Sequence, residues 1–153
     1  MRRRLVGVFA AVTAMIAIAF LVPLALFVRD VARERALDDA EGDASALFPV
    51  LAVTGDPDAL AVAMSRTPAG SAGRLSVFLA GGTVVGASVP ADDRVRAALA
   101  EGRAWTGAVP GGEAVVSPVV RADGAVAVVR VFVPEAEISE GVVRAWATLA
   151  AVG

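Results

Sequence analysis

The sequence predicts an α+β chain: a transmembrane helix and helical stem, an antiparallel sheet with flanking helices, and the start of a second transmembrane helix. Three observations predict it. Residues 5–28 form a charge-free, mainly apolar run, longer than the ~20 residues needed to cross the hydrocarbon of a bilayer. Two pairs of β-type segments each flank a dipeptide suited to a tight turn, Gly81-Gly82 and Asp123-Gly124. Apolar residues at helical spacing precede, separate and follow these pairs.

The apolar run holds only Gly7, Thr13 and Pro23 as interruptions and follows Arg2-Arg3-Arg4. A basic start is shared with signal peptides, and Ala17-Ile18-Ala19 has the small-x-small form of a cleavage site. That tripeptide lies inside the run, with Phe20-Leu21-Val22 and residues 24–28 still to come, so the expectation is a retained anchor. Its orientation is nearly tied by charge. Three arginines precede it and Arg29, Arg33 and Arg35 follow; the free amino terminus tips it toward a cytoplasmic start, with the long following segment exported.

With the span removed, roughly 115 residues remain, the size of one ordinary domain. The expected division is an N-terminal segment and span over 1–28, one domain over 29–140, and the beginning of a second span over 141–153. Hydrophobic residues make up 57% of the chain and the mean hydropathy is +0.70, with the excess at the two ends. A net charge of −2 with acids and bases interspersed lacks the clustered basic face that nucleic acid requires. The chain has no Cys and no His, which excludes thiol chemistry, disulfides and imidazole catalysis.

Beyond the span, Leu37, Ala40, Ala44, Leu47 and Leu51 recur at spacings of three and four with acids between them, the signature of an amphipathic stem. Pro49 is expected to kink or end it. The stripe packs either on the domain's own sheet or on the same helix of a second subunit. Asp56-Pro57-Asp58 opens a short helix through Ser65, and Thr67 to Gly73 reads as a loop rich in Pro, Gly and Ser.

The first hairpin is expected over Leu75–Ala80 and Thr83–Val89, the second over Val115–Ala122 and Ala125–Val133. Between them, a helix runs from Asp92-Asp93 to Leu99 and ends at Gly102, followed by a short strand near Trp105. A two-residue turn at Asp123-Gly124 pairs Ser117 with Arg130, Val119 with Val128 and Val115 with Phe132. The same turn at Gly81-Gly82 puts Leu75, Val77, Leu79 and Val84 on one face, and Arg74, Ser76, Phe78, Val85 and Ala87 on the other. A last helix is expected from Glu135, turning apolar at Val142, with Arg144 and Trp146 suited to a membrane interface. Its apolar end is too short to span, so the expectation is that the natural chain continues.

Catalytic constellations fail on inventory: the paired acids Asp38-Asp39 and Asp92-Asp93, and the group Glu135, Glu137 and Glu140, sit where solvated acids belong. No metal site and no cofactor is expected. The mixed faces of the two hairpins bring arginine and serine together. Arg130 is therefore the candidate anchor for a small anionic ligand, with Ser117 beside it and Arg74 and Arg103 as further contacts. The alternative for Arg130 is an exposed edge or an arginine paired with a nearby acid. Trp105 is either a pocket wall or a core residue.

The start Met1-Arg-Arg-Arg-Leu5, the span ending Pro23-Leu-Ala-Leu-Phe-Val28 and the following Arg-Asp-Val-Ala-Arg-Glu-Arg-Ala-Leu37 resemble the N-termini of actinobacterial sensor histidine kinases. The order Leu75 to Ser88 about a Gly turn, Val95 to Gly102, Val116-Ser-Pro-Val-Val120, Asp123-Gly124 and Ala125 to Val133 is similar to extracytoplasmic PAS-like sensor domains of the single Cache class, over about residues 29–140. The resemblance implies a homodimeric membrane receptor of a two-component system, whose phosphoaccepting His, ATP-binding domain and contact with a cognate response regulator would all lie outside this chain. Carboxylate-binding members commonly use Lys, His and Tyr besides Arg, and the chain has none of those three. Chemoreceptors and diguanylate cyclases share the architecture. A different class, a membrane-tethered extracellular binding domain without cytoplasmic output, fits the same segments.

Overall fold

The apolar run and the stem behind it form one unbroken helix, α1, Arg2–Ser45, in a computed structural model that describes residues 2–138. At 1.5 Å per residue its 44 residues extend about 66 Å, and Pro23 lies inside it without ending it. The expected second span, 141–153, lies outside the described residues.

Three short helices follow, α2 (Phe48–Val53), α3 (Pro57–Met64) and α4 (Pro68–Ser71). The break that Pro49 was expected to impose falls at residues 46–47, and Pro49 itself sits in the first turn of α2, where its missing N–H is no loss. Asp56 caps α3 as expected, its carboxylate accepting from the N–H groups of Asp58 and Ala59. The expected loop 67–73 instead contains α4, started by the Thr67 hydroxyl accepting from Gly70 N–H at 3.0 Å.

The sheet comprises β1 (Leu75–Phe78), β2 (Val84–Gly86), β3 (Trp105–Val109), β4 (Gly112–Val120) and β5 (Val126–Pro134), with helix α5 (Asp93–Glu101) between β2 and β3. Its order is β2-β1-β5-β4-β3, and every neighbouring pair is antiparallel. A third hairpin, through Pro110-Gly111, joins β3 to β4; Gly111 has φ +85°, the conformation a Pro-Gly turn requires at its second residue. α5 is capped by Asp92, which accepts from Arg94 and Val95, and ends at Gly102 in the left-handed conformation.

Both expected hairpin registers are one residue off. Ser76 pairs with Gly86 and Val77 with Val85; Ser117 pairs with Val129 and Val116 with Arg130. The cause is the same in each turn. Leu79 and Thr83 close one loop and Arg121 and Ala125 the other, with the inner N–H of Gly82 or Gly124 returning to the first carbonyl. Three residues, not two, lie inside each loop, and glycine takes the left-handed position of a bulged turn, φ +88° at Gly82 and +81° at Gly124.

Strand alternation then gives two buried faces. One carries Leu75, Val77, Val85, Val115, Val129, Val131 and Val133 and packs against Ala40, Ala44, Leu47, Leu51, Leu60 and Met64. The stem stripe is therefore part of this domain's own core, which decides between the two readings left open for it. The opposite face carries Phe78, Val116 and Val128 beneath Val95 and Ala98 of α5, with Trp105 at the margin.

Candidate functional site

Two features of the chain are built rather than incidental: the junction between α1 and the sheet, and the α5 face of the sheet. Along α1, large apolar side chains from Val12 to Phe27 are exposed on all sides, Phe20 at 76%, so no protein surface covers them among the described residues. This helix is long and apolar enough to cross a membrane.

Just beyond that run, arginines on α1 reach the ends of the sheet strands. Arg33 Nε and Nη2 donate to both carboxylate oxygens of Glu113 on β4, the second at 2.7 Å. This is the bidentate fork that suits guanidinium to carboxylate. Glu113's side chain is 10% exposed and Arg33's 47%, so the anion is the buried member. The hydrogen bonds that Arg33 donates to Glu113 chiefly raise the Arg33 pKa above its ordinary value, against a smaller lowering by desolvation. One turn earlier Arg29 approaches Glu135 at 3.7 Å. Nothing in the sequence pattern pointed to Arg33 or Glu113, because they are 80 residues apart and meet only through the helix-on-sheet packing.

The four expected ligand residues are dispersed. The corrected register places Ser117 across from Val129, on the face that packs against the helices, so it does not stand beside Arg130. Arg74, just before β1, pairs with Glu137. Arg103, in the connection after α5, is exposed and lies 3.0 Å from Glu101. Arg130 alone is buried, at 8% exposure. It lies on the α5 face between Ser76 of β1 and Val116 of β4, and its Nε has no hydrogen-bond partner. Trp105 belongs to the core cluster of that face and carries the Arg94 guanidinium over its ring, 3.6 Å from the centroid.

Farther along the same face, a cleft of 460 Å³ opens between the β1–β2 hairpin, the 89–91 connection and Leu99 of α5, floored by Phe78 and Val126. Its lining carries no charged side chain, and Thr83 supplies the one hydroxyl. The strand expected over Thr83–Val89 is shorter in the structure, Val84–Gly86, and Val89-Pro90-Ala91 line the cleft instead of continuing it. Among the described residues no group of three or more acids is placed to hold a metal ion, and the face offers no nucleophile with a base. Compared with family models, with curated proteins and with solved structures, the chain matches none.

Proposed function

We propose that this chain is the extracytoplasmic signal-sensing and transmembrane signalling region of a two-component sensor histidine kinase, homodimeric in the membrane, with a PAS-like sensor domain of the single Cache kind. One observation carries the reading. α1 is continuous from an apolar segment suited to a bilayer into a stripe, Ala40, Ala44 and Leu47, that is part of the domain core. A change in sheet packing therefore reaches the membrane segment without a flexible joint. The order β1, glycine turn, β2, α5, Pro118-containing β4 and long β5, with β3 inserted after α5, adds support, since it contains the segment order on which the resemblance rests. A stimulus acts by shifting the balance between two packings of α1 on the sheet.

Alkaline phosphatase fused after Pro134 tests the topology; the expected result is an active fusion, and activity only of a cytoplasmic reporter at that site refutes it. Joining residues 1–153 to the cytoplasmic half of a histidine kinase of known output tests the signalling role. Leu47→Ala is expected to change basal autophosphorylation in that chimera, and a series of core substitutions that leaves output constant would reject the role.

A further inference from the structure

The sheet domain follows the apolar stretch of α1 with no spacer. Residues 5–28 carry no charge and Arg29 comes at once behind them. At 1.5 Å per residue that run extends about 36 Å, against ~30 Å of hydrocarbon, so a centred span overshoots by about 3 Å at each end. The headgroup layer adds about 5–7 Å on each side. Arg29 therefore sits inside that layer.

The sheet reaches the same depth. Arg29 lies 3.7 Å from Glu135, and the Glu135 N–H donates to the Gly111 carbonyl at 3.1 Å, so the turn between β3 and β4 is level with the first residue past the apolar run. Arg33, one helical turn on, holds Glu113 just behind this turn and fixes it against α1. The two ends of β4 differ in chemistry. Residues 105–112, which hold the membrane-end turn, carry no charge, and Ala108 and Pro110 are exposed. The turn at the far end carries Arg121 and Asp123, 3.1 Å apart. Arg29 is 64% exposed, and its contact with Glu135 is longer than a hydrogen bond. Its guanidinium fork is thus open to a phosphate, which it takes bidentately.

We propose that the membrane end of the sheet domain is a lipid-docking surface: the Val109-Pro110-Gly111 turn rests among the headgroups, and Arg29 binds the phosphate of an anionic phospholipid. Continuity with α1 identifies the occupant, because the surface begins where the apolar run ends and the bilayer that takes the run lies directly beneath it. Lipid charge then competes with Glu135 for Arg29, at the point where α1 meets the end of β5. This inference rests on α1 spanning a bilayer, and neither on kinase output nor on the side of the membrane that the domain occupies.

The chain has no Cys, so single introduced cysteines can be labelled cleanly with an environment-sensitive fluorophore. Four variants of the whole chain are labelled: Pro110→Cys, Ala108→Cys as a second exposed position on the same hairpin, Ala122→Cys at the opposite end of the sheet, and Leu24→Cys in the apolar run. Each is placed in nanodiscs of phosphatidylcholine, or of an equimolar mixture with phosphatidylglycerol, with a quencher on the headgroup of either lipid or on the acyl chain. The labels at Pro110 and Ala108 are expected to be quenched from the headgroups and the label at Ala122 to be spared. At Pro110 the quencher on phosphatidylglycerol is expected to outcompete the one on phosphatidylcholine, a preference that Arg29→Gln lowers by about fivefold and Arg29→Lys keeps. Quenching at Pro110 and Ala108 no greater than at Ala122 overturns the docking surface. A preference that is absent, or unchanged in Arg29→Gln, overturns Arg29 as the phosphate ligand. Loss of the preference on adding inorganic phosphate at constant ionic strength assigns the site to a free anion and overturns the lipid as its source. In any of these failures, quenching of Leu24→Cys from the acyl chain keeps the membrane span and condemns the docking alone, whereas its absence refutes the span.

Discussion

Replacing Arg33 by alanine should destabilise the sheet domain more than neutralising its partner, Glu113→Gln. In the structure the carboxylate is the buried member, 10% exposed against 47% for the guanidinium. Arg33→Ala leaves that carboxylate desolvated with no counter-charge, whereas Glu113→Gln leaves a guanidinium that is already half in water and keeps one acceptor oxygen. Breaking a fully buried pair from one side costs ~3–5 kcal/mol. With one partner half exposed the cost must be discounted toward that of a charged hydrogen bond, about 2 kcal/mol for Arg33→Ala and about 1 kcal/mol for Glu113→Gln. At about 3–6 °C per kcal/mol for a domain of this size, the first should lower the melting temperature by about 6–12 °C and the second by about half as much. Circular dichroism melting of the whole chain in micelles reads both, and the double variant should lose less than the sum of the two. Equal losses, or a larger loss in Glu113→Gln, would refute the reasoning, because the asymmetry follows only if Glu113 is the desolvated charge.

Two further outcomes follow from the packing. Gly86→Ala should be the more damaging of two glycine substitutions in the first hairpin: its Cβ would lie 2.4 Å from the Leu75 carbonyl oxygen at φ +96°, whereas at Gly81 a Cβ meets nothing within 4 Å. Backbone strain of ~1–3 kcal/mol is common to both, so a thermal melt in which Gly81→Ala loses as much as Gly86→Ala would contradict the close approach. Leu47→Ala removes a stem side chain that is 1% exposed and should cost ~2–5 kcal/mol; a loss under 1 kcal/mol in urea unfolding would mean the stem is not part of the core.

Local chemistry in this sequence was legible and long-range chemistry was not. Asp56 as a cap, the acidic helix start at Asp92-Asp93, Gly102 as a helix stop and the stripe from Leu37 to Leu51 each depend on neighbours within one or two turns of helix, so the pattern contains them. The hairpin registers failed for a specific reason. Gly-Gly and Asp-Gly serve a two-residue turn and a three-residue bulged turn equally well, and the choice shifts every cross-strand pair by one. That single residue exchanged Arg130's neighbour from Ser117 to Val116 and moved Ser117 to the other face. The pairing of β1 with β5, which brings Ser76 opposite Arg130, joins segments more than fifty residues apart and has no local sequence signal. The burial of Arg130, 8% exposed on the α5 face, is likewise a property of the assembled sheet.

The continuity of α1 also restricts how this gene can change length. Each residue added or removed between the apolar run and Ala36 turns the apolar segment by about 100° relative to the stripe and moves it 1.5 Å along the axis. A single deletion at residue 34 or 35 would leave Ala40, Ala44 and Leu47 on the sheet but turn Arg33 away from Glu113. Inserting seven residues restores the facing to within about 20° and moves the apolar segment ~10 Å along the axis away from the domain. Variation in this segment should therefore come in steps near whole pairs of turns, so that reading frame and helical phase are under selection together where an ordinary linker would tolerate any length.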